Sequence, residues 1–88
     1  MSETPENRLK RLRLRSWRRG MKEMDLILGR FADDRLGTLD PARLTTYDAM
    51  LEENDQELYR WVTGQAPVPD QYAPLMAEIA KHSGADRG

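Results

Sequence analysis

The chain has 88 residues, 39% of them hydrophobic and 33% charged, and a formal net charge of −1. That length supports one modest core, so a single domain over residues 1–88 is expected, with residues 1–7 and 85–88 as flexible ends. With no cysteine there is neither a disulfide framework nor a thiolate metal site, and a lone histidine, His82, gives little basis for a metal centre or a His-based triad, so no metal and no enzyme are expected.

The opening stretch MSETPENRLKRL lacks an apolar run of signal-peptide length, and no window approaches a membrane-spanning helix. Residues 8–19 are arginine-rich and amphipathic like a transit peptide, but their removal would take much of so small a domain. The chain therefore reads as a mature cytoplasmic protein that does not span a membrane. The small net charge conceals an asymmetry: Arg8, Lys10, Arg11, Arg13, Arg15, Arg18, Arg19 and Lys22 form a run of eight bases with no acid among them. Such a basic end fits nucleic acid, anionic lipid or an acidic protein surface.

In chain order, the first helix runs from Pro5 towards Arg19, with Leu9, Leu12 and Ser16 at spacings of three and four and Trp17 beside them. Gly20 interrupts. Met21, Met24, Leu28, Phe31 and Ala32 then mark a second helical stripe, which Gly37 and LGTLDP end. Asp40 followed by Pro41 is a strong start for a third helix, with Leu44, Tyr47 and Leu51 inward. Asn54 or Asp55 caps a short fourth helix carrying Leu58, Trp61 and Val62, stopped by Gly64 in the left-handed conformation. After the extended APVP connector, Asp70 is expected to cap a fifth helix with Tyr72, Leu75, Met76, Ile79 and Ala80 inward, ended by Gly84. No stretch alternates as a strand does. The fold class is all-α, a compact five-helix bundle.

The second helix leaves Glu23 and Arg30 on its far side, flanked by Leu26 and Ile27. If the helical turn continues back through Gly20, Arg19 lies four residues before Glu23, within pairing reach. Glycine in a charged helical stretch costs about 1 kcal/mol against alanine, and is kept where the chain turns sharply or another backbone comes close. Asp25, at the edge of the core face, reads as a cap or a partner for a neighbouring helix. Trp61 reads as core, and His82 as a surface residue complementing the last helix's dipole.

RRGMKEMD, from Arg18 to Asp25, resembles the signature of the SdhE family, the succinate dehydrogenase flavinylation factors of bacteria and their mitochondrial relatives. The hallmark Arg-Gly-x-x-Glu matches Arg19, Gly20 and Glu23, with an aspartate two residues on, Asp25. A second block, MLEENDQELYRWVTG, is similar to the family's Leu-Leu-Glu-x-x-Asp-x-x-Leu-x-x-Trp-x-x-Gly. It matches at Leu51, Glu52, Asp55, Leu58, Trp61 and Gly64, with Met50 replacing the first leucine. The resemblance implies a bacterial cytoplasmic helper, monomeric when free, that binds the flavoprotein subunit of succinate dehydrogenase and, in some bacteria, fumarate reductase. It would promote covalent attachment of FAD to a histidine of that subunit without holding the cofactor itself. With the outward face of the second helix added, the expected partner-binding residues are Arg18, Arg19, Gly20, Glu23, Asp25, Leu26 and Ile27. Arg19 would donate to the client, Gly20 permit close approach, and Glu23 orient Arg19 or accept from the client. Some members have been labelled antitoxins, so the alternative is an antitoxin-like or basic-patch nucleic-acid-binding module. No nucleic-acid motif accompanies the basic run, and no nucleic-acid partner is expected.

Overall fold

A computed structural model describes residues 3–84. Its five helices are α1 (Pro5–Trp17), α2 (Lys22–Arg35), α3 (Pro41–Met50), α4 (Asp55–Val62) and α5 (Ala73–Ser83), with a short 3-10 turn, Leu36–Thr38, after α2. No strand occurs among the described residues. The all-α five-helix bundle is the observed fold.

Local chemistry sets most of the boundaries. Thr4 Oγ1 accepts from the Asn7 N–H at 3.1 Å and Pro5 occupies the first turn, so α1 begins inside the stretch expected to be a flexible end. Of the other terminal residues so expected, 1, 2 and 85–88 lie outside the described residues. Asp40 caps α3 through the Arg43 N–H at 2.8 Å, and Asn54 caps α4 through the Glu57 N–H at 2.9 Å. Gly64 and Gly84 take left-handed backbone, φ 78° and 79°, just past α4 and α5. Asp70 is not a side-chain cap. It lies in a turn whose Pro69 and Asp70 carbonyls accept from the Tyr72 and Ala73 N–H groups, and α5 starts at Ala73 without a side-chain cap.

Helix α2 is central, packed against α1, α4 and α5. Its Met24, Leu28, Phe31 and Ala32 meet Leu12, Tyr47, Leu58, Met76 and Ile79 in one buried cluster. Met50 and Leu36, outside the expected stripes, are also fully buried. Trp61 is only half-buried, tilted against Tyr72 with ring centroids 5.9 Å apart, so it borders the core rather than filling it. Two polar groups enter the interior together. Ser16 donates to the Leu12 carbonyl at 2.7 Å, and the Tyr47 hydroxyl lies 2.6 Å from Ser16 Oγ. Burial pushes the Tyr47 phenol up to about 12, against the opposing effect of that hydrogen bond.

The α1–α2 seam depends on a glycine. A Cβ at Gly29 would come within 2.3–2.6 Å of three Trp17 ring carbons, closer than any side-chain carbon can approach. The indole therefore rests on the bare backbone of α2, and its Nε1 donates to Asp33 at 3.3 Å. A glycine in mid-helix costs about 1 kcal/mol of helix propensity, and here the tight seating of the tryptophan explains it.

Candidate functional site: the break between α1 and α2

Arg18 leaves helical geometry (φ −119°, ψ 56°), and Arg19 and Gly20 form the link into α2. Because the link is not helical, Arg19 does not continue the turn of α2. The expected Arg19–Glu23 pair is absent. The Arg19 side chain turns inward, 9% exposed, and binds the opposite end of the bundle's second motif. Its Nε donates to Asp55 Oδ1 at 2.7 Å, while its terminal nitrogens donate to the Leu51 and Glu53 carbonyls at 3.0 and 3.1 Å. Those carbonyls belong to the stretch joining α3 to α4, where the end of a helix leaves acceptors without intrahelical donors. One guanidinium thus satisfies that link and pairs with the first residue of α4.

Gly20 completes the arrangement. Its N–H donates to the other Asp55 oxygen, Oδ2, at 2.7 Å. Its φ is not positive, so conformational freedom is not the reason for glycine here. A Cβ would stand 3.3 Å from Asp55 Oδ2, so a side chain here would require that carboxylate to give by a few tenths of an ångström. Asp25, in the first turn of α2, accepts from the Arg19 backbone N–H, which matches its expected role as a cap or helix-joining carboxylate. Arg19, Gly20 and Asp25, inferred as contact residues, are therefore all engaged within the chain. The two motif blocks, far apart in sequence, meet at this node.

What remains outward is narrower. Glu23 is exposed and makes no hydrogen bond or ion pair among the described residues. Leu26 is 36% exposed and Ile27 is half-buried. With Arg30, His82 and Ser83 they border a depression of about 120 Å³. Arg18 is exposed on a larger groove of about 600 Å³ between the end of α1 and the α3–α4 link, with Leu14, Arg15 and Glu52 along it.

The basic run divides into two. Arg8 donates to Thr45 at 2.8 Å. Arg11 pairs with Glu3 at 2.8 Å and Asp48 at 2.7 Å, and Arg15 meets Asp48, Glu52 and the Leu51 carbonyl. The hydrogen bond from Arg11 holds the Asp48 carboxyl below the usual carboxylate range, outweighing partial burial. Lys10, Arg13, Arg18 and Lys22 have no ion pair among the described residues and are exposed. His82 is not a free surface residue at a helix end. Its side chain is 17% exposed, Nε2 lies 2.8 Å from Asp34 Oδ2, and its ring stands edge-on to Phe31, joining α5 to α2. Among the described residues no group of three or more His, Cys, Asp or Glu could hold a metal ion, and no helix is long and apolar enough to cross a membrane.

Three relatives share the name succinate dehydrogenase assembly factor 2, mitochondrial. The Aspergillus flavus protein is 39% identical over 79 residues, 89% of this chain and 27% of the relative. That of Meyerozyma guilliermondii is 40% identical over 73 residues, 80% of this chain and 54% of its own length. That of Schizosaccharomyces pombe is 31% identical over 87 residues, 97% of this chain and 63% of its own length. The chain therefore spans from about a quarter to less than two thirds of these relatives. All are mitochondrial proteins of eukaryotes, and that finding overturns the expectation of a bacterial cytoplasmic protein. A family model described as the flavinator of succinate dehydrogenase matches residues 10–83, from within α1 to the last residue of α5. By that match, which takes in both motif blocks and the node that joins them, the chain belongs to the family of succinate dehydrogenase flavinators.

Proposed function

We propose that this protein binds the flavoprotein subunit of succinate dehydrogenase, with fumarate reductase as a second client, and promotes covalent attachment of FAD there. It acts as a monomeric helper rather than a catalyst and does not itself hold the cofactor. Attachment requires an acceptor histidine held against the flavin, and that chemistry belongs to the client and its flavin. A helper raises the rate by favouring the client conformation in which the reacting groups meet, and for this it needs a rigid surface with a few specific polar contacts.

The observation that carries the reading is the division of labour within the matched motif. Arg19, Gly20 and Asp25 are engaged in the node with Asp55, while Glu23 stands exposed in the first turn of α2 with no partner of its own among the described residues. The contact is Glu23 with Leu26 and Ile27, flanked by Arg18, and the node behind it fixes how α2 is presented. Arg19 and Gly20 contribute by holding the link in place.

The test is Glu23→Ala. A surface truncation shifts stability by no more than about 0.5 kcal/mol, whereas truncating one partner of a desolvated polar contact costs about 2–5 kcal/mol of binding. The expected outcome is an unchanged melting curve with lowered covalent flavin on the client, read by in-gel flavin fluorescence from cells carrying the variant. Full flavinylation beside a normal melt would remove Glu23 from the contact.

A further inference from the structure

Helix α1 carries three separate stripes. Leu9, Leu12 and Ser16 face the core, and Arg8, Arg11 and Arg15 face α3 and the α3–α4 link through the pairs described above. The third stripe, Lys10, Arg13, Leu14 and Trp17 at spacings of three, one and three, faces solvent. All four side chains are exposed, Leu14 at 52% and Trp17 at 37%, and neither cation has an ion pair among the described residues.

The stripe continues across the seam onto α2. Trp17 rests on Gly29, and Gly29 shares a helical face with Lys22 and Leu26 at spacings of four and three. Lys22 is exposed without an ion pair, and Leu26 is 36% exposed. Arg18, at the end of α1, adds a fourth unpaired cation. The exposed large hydrophobics found among the described residues, Leu14, Trp17 and Leu26, thus all lie on one strip with four free cations. The acids bordering it are Glu6, one turn before Lys10, Asp33, which takes the Trp17 indole N–H, Glu23, beside Lys22 and one turn before Leu26, and Glu52, which shares the groove of Leu14 and Arg18 and pairs with Arg15.

We propose that this strip is a weak, reversible docking surface for a bilayer rich in anionic phospholipid. Charge complementarity selects the partner's sign: Arg11 and Arg15 are matched by acids within the chain and Arg8 by Thr45, whereas these four cations have no ion pair among the described residues. Leu14, Trp17 and Leu26 form one short exposed row flanked by the four cations. Apolar tips alongside long cationic side chains on one helix face are what an interfacial helix presents to a bilayer, the tips entering the acyl boundary while lysine and arginine reach the headgroups. Trp17 also has the form of an interfacial residue, with an apolar ring and an indole N–H at its edge. Each cation near an anionic surface contributes about a fivefold gain in affinity, screened over a Debye length.

The experiment uses phosphatidylcholine vesicles with and without about a third anionic phospholipid, at low and physiological salt, without the flavoprotein, so its failure is distinct from failure of the flavinylation reading. Vesicle sedimentation measures binding. Trp17 emission, isolated in a Trp61→Phe background whose fold is checked by circular dichroism, reports contact with the interface. The expected results are salt-sensitive binding to anionic vesicles only, a blue shift of Trp17, and roughly thirtyfold weaker binding for Lys10→Gln/Arg13→Gln. Equal binding to neutral vesicles, no binding to either, or unmoved Trp17 emission overturns the proposal. If the double variant instead loses the flavoprotein while neither form binds vesicles, the strip faces an acidic protein surface and the proposal is likewise overturned.

Discussion

Replacing Arg19 by alanine separates the residue that holds the motif together from the residue that the motif presents. The guanidinium is 9% exposed and its partner Asp55 17%, so the pair lies largely out of water. Breaking a buried ion pair costs about 3–5 kcal/mol, because the remaining charge loses its counter-charge. In Arg19→Ala, Asp55 keeps the Gly20 N–H on Oδ2, which moves the expectation to the lower end of that range. The Leu51 and Glu53 carbonyls lose their donor as well, but as part of the same event rather than as an independent penalty. A loss of about 3 kcal/mol in a domain of this size lowers Tm by roughly 12–24 °C. Arg19→Lys keeps the charge but offers a single nitrogen where the guanidinium spreads three towards the carboxylate and the two carbonyls, so its melt falls between the two. Thermal and urea unfolding followed by far-ultraviolet circular dichroism provide the assay. If Arg19→Ala melts within about 3 °C of the parent protein, the inward node is not what holds α3, α4 and the α1–α2 link together. A client-binding defect in Arg19→Ala carries no information about contact until this stability loss is known, which is why Glu23 is the cleaner probe of the surface.

Gly29→Ala is expected to displace the Trp17 ring at a cost of about 1–3 kcal/mol from overpacking, reduced by the better helix propensity of alanine. In a Trp17→Ala background the clash is gone, so the same substitution becomes neutral or stabilising, and a double-mutant cycle by urea unfolding reads the coupling. If Gly29→Ala costs the same in both backgrounds, the tryptophan is not what requires the glycine. Tyr47 gives a pH signature. Its phenol is raised to about 12 in the fold against about 10 unfolded, so its contribution is intact below pH 10 and falls by about 1.4 kcal/mol per pH unit up to pH 12. The difference between parent and Tyr47→Phe unfolding free energies should shrink over that window. A constant difference would mean that the hydroxyl is not buried.

Elements set by neighbours in sequence were legible. Asp40-Pro41, the Asn54 cap and the two left-handed glycines each act within a few residues, and the core stripes of α2 and α5 follow from helical period alone. Sequence alone puts the start of the fifth helix too early, because an aspartate before a helix can cap by side chain or close a turn by its carbonyl, and composition does not distinguish the two. Carrying the period of α2 back through Gly20 turns Arg19 outward, but the helix stops there and the true partner lies 36 residues away. Periodicity has no access to such a contact. Trp17 on Gly29 and Tyr47 on Ser16 were missed for the same reason. A signal for the node was nonetheless present: two motif blocks in a chain with room for a single core, one holding Arg-Gly and the other an aspartate. The fate of the basic run was half legible, since the charge asymmetry was plain but the acids that neutralise Arg11 and Arg15 lie on and just after α3 and in the chain before α1.

The most direct measurement adds the purified protein to the isolated flavoprotein subunit of succinate dehydrogenase, prepared without covalent flavin, together with free FAD. Covalent flavin is then read over time by fluorescence on a denaturing gel. The expected result is faster or fuller attachment with the parent protein, and little gain with a Glu23→Ala variant whose melting curve is unchanged. Attachment at the same rate and extent with and without the protein would contradict its role as a flavinylation helper.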